Sequence, residues 1–151
     1  MRTDLQSSAD IESLYIGSQL VRHESGPDSI LQAFDQRLDD LDITSVTSIA
    51  DAQLGLIILS EQQRESVLGL SSDLFEQQSR LNKTVEYQIW RGDELLVEND
   101  SVSTFRDLSV DQSNAAAKNR EVDLIFQEIN TDLIDQLLRR LRLFISANDE
   151  S

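Results

Sequence analysis

The sequence predicts an α+β fold in the order β-α-β-β-β-α, with two helices packed on one face of a four-stranded mixed, mainly antiparallel sheet. Apolar residues recur at helical spacing in two segments, around 30–41 and 122–141. Between them, residues 54–70, 84–90 and 95–105 have strand character and are separated by turn or polar residues. The apolar stripe of the first helix is only one face wide, so we expect this helix to cover a sheet.

The first strand and the first helix are predicted from the N-terminal part of the chain. Residues 11–17, IESLYIG, have strand character and end at a glycine. The helix is predicted over about 27–40, because Pro27 suits a first helical position and Asp28 complements the positive end of the helix dipole. A crossover must connect the first strand to the others, and the sheet can therefore be mixed.

Residues 52–107 are predicted to form an antiparallel meander of three long strands. The first strand covers 54–70, and the stretch 71–80 is interpreted as a loop or hairpin end. From residue 84 apolar and polar residues alternate, and residues 91–94, RGDE, indicate a tight turn. The alternation places three apolar residues on one face of the second strand: Val85, Tyr87 and Ile89.

A long second helix is predicted after Ser113, which suits an N-cap. Ala115–Ala117 favour a helix, and the arginines at 139, 140 and 142 suit its last turn. Residues 146–151 are expected to fray, as are residues 1–10. The length of 151 residues fits one domain, which we predict over 1–151.

The composition excludes several classes of function. The chain has 13 basic and 28 acidic residues, a net charge of −15, no cysteine and one histidine. Such a charge repels nucleic acid, so no nucleic-acid partner is expected. The missing cysteines exclude thiol catalysis and disulfides, and a single histidine excludes a His-rich metal site. A binding or structural protein and a hydrolase that uses carboxylates alone remain.

The sequence does not decide in which cellular compartment the protein acts. No run of about 18 apolar residues is present to span a bilayer. The N-terminal residues, MRTDLQSSADIES, are polar and lack the apolar region of a signal peptide. Taken alone, this favours a cytoplasmic protein, but a mature secreted domain without its signal peptide has the same character.

The acidic excess is unevenly distributed along the chain. Residues 1–79 hold four bases against fourteen carboxylates, and residues 121–151 hold three against seven. Residues 80–120 hold six bases against seven carboxylates and are therefore close to neutral. If the protein binds an anion, this middle segment is the expected place, although ordinary solvated charges give the same pattern.

No pattern supports catalysis or metal binding, and we predict no catalytic residue, metal site or cofactor. His23 has no neighbouring nucleophile or second ligand in the sequence. The carboxylates at 39, 40 and 42 lack the glycine turn and distal glutamate of a calcium loop. Residues 91–93 match the integrin-type tripeptide Arg-Gly-Asp, but turn formation explains them more simply.

Short motifs in the second half of the chain resemble a known family. In chain order they are Glu86-Tyr87, Phe105-Arg106, Ala115-Ala116-Ala117-Lys118 and Leu138-Arg139-Arg140-Leu141. With their order and spacing, residues 80–145 resemble the lipopolysaccharide-assembly lipoprotein family LptE, also called rare lipoprotein B. Residues 1–60 agree with the family in pattern only.

The resemblance implies a fold of two helices against a four-stranded sheet and a function without enzymatic activity. Members of the family are lipid-anchored on the periplasmic side of the outer membrane by an N-terminal cysteine. They form a one-to-one complex with the β-barrel LptD, act as its plug and assembly partner, and bind lipopolysaccharide during its insertion into the outer leaflet. The missing cysteine is then explained if the chain begins just after the lipidated residue.

The resemblance also implies two basic positions that bind lipopolysaccharide. One opens the second helix and falls on Lys118, within AAAKNRE. The other precedes the Glu-Tyr strand and falls on Arg80, with Lys83 as the alternative. Lipid A or core phosphates would accept charge-assisted hydrogen bonds from these groups.

Two alternatives remain beside this hypothesis. The chain could be a different periplasmic auxiliary lipoprotein that serves another lipid transporter, or a carboxylate-dependent hydrolase. A lipidated cysteine in the full gene would separate both lipoproteins from the hydrolase. Co-purification with an outer-membrane barrel would separate the two lipoproteins from each other.

Overall fold

The computed structural model describes residues 11–19, 29–70, 76–111 and 115–150. They form an α+β domain with two α-helices and one five-stranded mixed sheet. The elements are β1 Ser13–Ser18, α1 Ile30–Asp40, β2 Thr44–Val46, β3 Leu54–Leu70, β4 Glu76–Arg91, β5 Glu94–Asp111 and α2 Ala115–Glu150, with a 3₁₀ turn at Ile49–Asp51 before β3.

The strand order in the sheet is β2-β1-β3-β4-β5. Strand β1 pairs in parallel with both β2 and β3, and the meander β3-β4-β5 is antiparallel, so the expected mixed topology is confirmed. The prediction of four strands was wrong, because β2 was missed. Its three residues, TSV, are exposed or half-buried and therefore carry no alternating apolar signal.

Helix α1 begins later than predicted. Its N-cap is Ser29, whose Oγ accepts a hydrogen bond from the N–H of Leu31 (3.1 Å). The two residues on which the earlier start was predicted, Pro27 and Asp28, lie outside the described residues, as does His23. The end of the helix agrees with the prediction at residue 40, and the next turn contains Asp42 with φ 59°.

Strand β4 begins at Glu76, so the interpretation of 71–80 as a loop was wrong for its second half. The polar sequence of 76–80 hid a strand that pairs with β3 on one side and β5 on the other. Strand β5 runs to Asp111, beyond the predicted end at residue 105. Between β4 and β5, Gly92 has φ 61°, the positive value that suits the first central residue of a two-residue hairpin turn.

Helix α2 runs from Ala115 to Glu150 and does not end near residue 145. The arginines at 139, 140 and 142 therefore lie in the interior of the helix and not in its last turn, which has no basic residue. The predicted N-cap Ser113 lies outside the described residues.

Both helices pack on the same face of the sheet, which we call the helix face. Along β4 the odd residues 81–89 are buried on this face, and the even residues between them are half-buried on the opposite, open face. Neither α1 nor α2 packs on the open face. The core contains residues from both helices and from the sheet. They include Phe34 of α1, Leu56, Val85 and Tyr87 of the sheet, and Ile129, Leu133 and Leu137 of α2.

The sheet has fewer strands past the point where the pairing of β1 with β3 ends. Strand β1 pairs with β3 only over Leu54–Ile58, although β3 continues to Leu70. Among the described residues, the remainder of β3, β4 and β5 is therefore three strands wide. We call this region, residues 60–70, 76–86 and 101–111, the distal part of the sheet.

Candidate functional site

Lys83, one of the three candidate bases, lies inside the protein. Its side chain is 0% exposed, and its ammonium Nζ is 2.8 Å from Glu61 Oε1. Nζ also donates to Gln63 Oε1 on β3 (3.0 Å) and to Asn130 Oδ1 on α2 (2.7 Å). These oxygens match the three N–H donors of an ammonium group. Lys83 thus joins the sheet to α2, and its charge does not reach the surface.

Glu61 extends this polar network to the start of α1. Its carboxylate accepts hydrogen bonds from Ser29 Oγ (2.9 Å) and from the backbone N–H of Ile30 (2.8 Å). The first N–H groups of a helix have no partner within the helix, and a carboxylate there also interacts favourably with the helix dipole. The network therefore positions both helices against β3 and β4.

Arg80 lies on the open face, in the distal part of the sheet. Its Nε and Nη2 donate to the two carboxylate oxygens of Asp107 at 2.8 and 3.0 Å. Its guanidinium carbon is 4.2 Å from the centroid of the Phe105 ring. The hydrogen bond from Arg80, aided by the opposite charge, holds the pKa of the Asp107 carboxyl below its usual range. The guanidinium is thus held in place on two sides while its side chain stays 40% exposed.

Lys118 lies on the other side of the sheet from Arg80. Its Nζ is 3.3 Å from Glu65 Oε2, with both side chains about one-third exposed. Glu65 is paired with Leu81, a buried residue of the helix face, whereas Arg80 precedes Leu81 and points the opposite way. The structure therefore brings Lys118 and Arg80 to the same end of the sheet, but on opposite faces.

The sequence analysis did not single out Arg64, which shares the open face with Arg80. Arg64 is paired with Asn82, and Ser66 with Arg80, so the two arginines are diagonal neighbours on adjacent strands. Diagonal neighbours in an antiparallel pair are about 7–8 Å apart at Cα, which is within reach of long side chains. Arg64 is exposed, and among the described residues no carboxylate forms an ion pair with it.

The side chains around these two arginines form a polar surface that we call the distal patch. Besides the two arginines it includes one phenylalanine and one aspartate, and all the remaining members carry hydroxyl or amide groups. The patch consists of Gln62, Arg64 and Ser66 on β3, Gln78, Arg80, Asn82 and Thr84 on β4, and Ser103, Phe105, Asp107 and Ser109 on β5.

A third polar cluster fixes α2 against β4 and β5. Arg140 Nη1 donates to Tyr87 Oη (2.6 Å), Asp100 Oδ2 (3.0 Å) and the carbonyl oxygen of Ser101 (3.0 Å). Tyr87 Oη also donates to Asp100 Oδ2 (3.2 Å). Burial raises the pKa of the Tyr87 phenol, which therefore stays neutral at physiological pH. This cluster is structural, because its groups satisfy one another.

The described residues offer little for metal binding or catalysis. They contain no group of three or more histidine, cysteine or acidic residues that could hold a metal ion. A groove of about 390 Å³ lies between α1 and α2, and half of its lining residues carry amide side chains. Its one cation, Arg37, is bound to Asp135 through Nε (3.1 Å) and Nη2 (3.3 Å). Within the described ranges, no helix has the length and apolar content needed to cross a membrane.

The sequence matches the model of a known protein family. The family described as "LptE: Lipopolysaccharide-assembly" matches residues 18–141, which is most of the chain. No curated protein sequence matches significantly.

Solved structures of three bacterial lipoproteins are similar to this fold. Rare lipoprotein B from Shewanella oneidensis superposes with a TM-score of 0.69 at 20% identity, covering 93% of this chain and all of that one. Uncharacterized lipoprotein B from Nitrosomonas europaea gives 0.67 at 19% identity, covering 93% and 88%. The minor lipoprotein from Acinetobacter baumannii gives 0.63 at 16% identity, covering 88% and 94%. At these identities the likeness establishes the fold alone.

Proposed function

The chain belongs to the LptE lipopolysaccharide-assembly family, and on this premise we propose that it binds lipopolysaccharide and serves as plug and assembly partner of the LptD β-barrel. The observation that carries the proposal is the family match over 18–141, which covers α1, the whole β3-β4-β5 meander and α2 as far as residue 141. The protein would then act at the periplasmic side of the outer membrane, held there by a lipid on an N-terminal cysteine. It has no enzymatic role.

Arg80 and Lys118 are the proposed lipopolysaccharide-binding residues. Both keep part of their charged side chain at the surface, at 40% and 31% exposure. An arginine can hold a phosphate by two parallel hydrogen bonds, whereas a lysine acts as a point charge. Lys83 is not included, because its ammonium is enclosed by Glu61, Gln63 and Asn130.

A binding measurement with matched charge changes tests the two sites. Arg80→Glu and Lys118→Glu are each compared with Arg139→Glu, an exposed arginine of α2 that has the same change of charge. We expect each of the first two to weaken binding of purified lipopolysaccharide in detergent by about tenfold relative to the control, since each loses a charge-assisted contact. Thermal melts should fall only slightly, because the lost ion pairs and the new repulsion from Asp107 or Glu65 both act at partly exposed sites, where such interactions contribute little to stability.

The partner is tested separately from the ligand. The full-length lipidated protein is purified from outer membranes, and a co-purifying barrel in equal amount supports the LptD complex. Recovery of the protein with an inner-membrane lipid transporter instead would favour the alternative of a different auxiliary lipoprotein. If the wild type binds no lipopolysaccharide, the ligand assignment is wrong whatever the partner is.

A further inference from the structure

We infer that the distal patch on the open face is the surface that contacts the phosphorylated saccharide portion of the ligand, with Arg64 as a second cation beside Arg80. This inference rests on the proposed function, since it names the residues that would meet a ligand of that class. It assigns a role to Arg64 and to the distal patch of the open face.

The strand register brings the two arginines together. After the irregularity of β3 between Ile58 and Ser60, Gln62, Arg64 and Ser66 pair with Thr84, Asn82 and Arg80. Directly paired residues of an antiparallel ladder point to the same face, so Arg64 stands diagonally beside Arg80. Two guanidinium groups at this spacing suit a phosphate-bearing ligand better than either one alone.

The charge of the patch differs from that of the chain. The chain has a net charge of −15, yet the patch holds two arginines against the single carboxylate Asp107. Of the neighbouring carboxylates, Glu61 and Glu65 of β3 point to the helix face, where they pair with Lys83 and Lys118. Glu86 of β4 lies on the open face at the border of the patch, where it accepts a hydrogen bond from Ser60 Oγ (2.8 Å). A polyanionic ligand is repelled by most of this protein, so a patch of positive charge is the surface on which it can settle.

The remaining side chains fit a sugar rather than a bare ion. The serine, threonine, asparagine and glutamine side chains of the patch donate and accept hydrogen bonds, which suits a ligand rich in hydroxyl groups. Phe105 is 50% exposed and adds an apolar surface on β5, at the edge of the patch. A sugar ring has apolar C–H groups beside its hydroxyls, and the exposed aromatic ring offers these groups a contact surface.

The groove between α1 and α2 is less suited to such a ligand than the patch is. The groove between α1 and α2 also has amide side chains, but its cation Arg37 is bound to Asp135, and Asp40 adds a second carboxylate. Lys118 lies at the same end of the sheet as the patch but on the helix face. A large ligand with several phosphates can contact Lys118 and the patch through different groups.

The test compares Arg64→Glu with Arg139→Glu, which carries the same charge change on an exposed residue of α2 far from the patch in sequence. The probes are purified rough lipopolysaccharide in detergent and the same material after enzymatic dephosphorylation. We expect Arg64→Glu to weaken binding of the phosphorylated probe by about tenfold relative to Arg139→Glu, and to have little effect with the dephosphorylated probe.

The outcomes separate this inference from the function on which it rests. If Arg80→Glu weakens binding but Arg64→Glu equals Arg139→Glu, the patch assignment is overturned and the proposed function stands. If the wild type binds neither probe, the proposed function fails and the inference fails with it. A thermal melt of Arg64→Glu close to that of Arg139→Glu shows that lost binding is not lost folding.

Discussion

Lys83 and Glu61 form a largely buried ion pair, with Nζ 2.8 Å from Oε1 and side-chain exposures of 0% and 9%. The pair joins β4 to β3, and its hydrogen bonds continue to Ile30 at the start of α1 and to Asn130 in α2. Lys83, which the family resemblance implied as a possible ligand-binding base, is therefore part of the polar network that positions both helices.

Replacing Lys83 by methionine should destabilise the fold strongly. The substitution keeps the length of the side chain but leaves the Glu61 carboxylate buried without its cation. Removing one partner of a buried ion pair costs about 3–5 kcal/mol. Urea unfolding followed by circular dichroism measures this loss.

Lys118→Met is the matched control for that experiment. Lys118 also pairs with a glutamate of β3, Glu65, but both side chains are about one-third exposed. An exposed pair contributes about 0–1 kcal/mol, so this variant should unfold close to the wild type. Equal destabilisation by the two substitutions would contradict the difference in burial between them.

A second prediction concerns Gly55 on the open face. A Cβ atom at this position would meet the Ile49 side chain, with Cγ1 at 2.7 Å and Cδ1 closer still. Gly55→Ala should therefore cost about 1–3 kcal/mol by overpacking. Because Ile49 is the obstacle, the cost should be smaller when Gly55→Ala is made in an Ile49→Ala background.

Gly69→Ala provides the control for Gly55→Ala. No atom lies within 4 Å of the Cβ that an alanine would place there. The substitution should be neutral or slightly stabilising, because it reduces the freedom of the unfolded chain without a clash. Thermal or urea unfolding of the variants checks both expectations, and a cost at Gly69 equal to that at Gly55 would show that the clash is not the cause.

The alternation of residues along β4 predicts which face each candidate base occupies, and the motif comparison did not use this information. The predicted alternation places Val85, Tyr87 and Ile89 on one face, and counting back by two places Lys83 on that same face. Lys83 therefore belongs to the core side and Arg80 to the opposite side. This distinction was within reach of the sequence once residues 76–83 were recognised as strand.

Other features of the sheet were not available from the sequence. In β3 the even residues Leu56 and Ile58 are buried, but after the irregularity at 58–60 the odd residues face the helices. Unbroken alternation would thus have placed Arg64 on the wrong face. Strand β2 was missed for another reason, since its three residues depend on pairing with β1 and not on their own pattern.

The third prediction concerns the pH dependence of stability at Tyr87. Burial raises the pKa of this phenol above its ordinary value of about 10. A group with a raised pKa in the folded state contributes stability that is complete below pH of about 10 and is lost as the pH rises through the folded pKa. The folded protein should therefore lose stability in this alkaline range partly through Tyr87.

Tyr87→Phe separates this effect from other alkaline titrations. Near pH 8 the variant should be less stable by about 1 kcal/mol, because Arg140 and Asp100 lose a hydrogen-bond partner. As the pH rises above about 10, the difference in melting temperature between wild type and variant should narrow, since only the wild type carries this phenol. A difference that widens with pH would contradict the assigned direction.

The last prediction concerns Asp107, the carboxylate that holds Arg80 in the distal patch. Because its pKa is lowered by Arg80, Asp107 carries its negative charge throughout the physiological range. It occupies two guanidinium donors of Arg80 and repels any phosphate that approaches them. Asp107→Asn should therefore raise the affinity for lipopolysaccharide, by about threefold or more.

Asp132→Asn is the matched control for Asp107→Asn, because Asp132 also pairs with an arginine, Arg106, at 3.4 Å and similar exposure. Asp132 belongs to α2 and lies on the helix face, away from the patch. Both variants change the net charge by the same amount, so a general loss of repulsion would raise their affinities equally. A gain confined to Asp107→Asn identifies this carboxylate as a competitor for the phosphate at Arg80, whereas weaker binding would mean that Asp107 orients the guanidinium for its ligand.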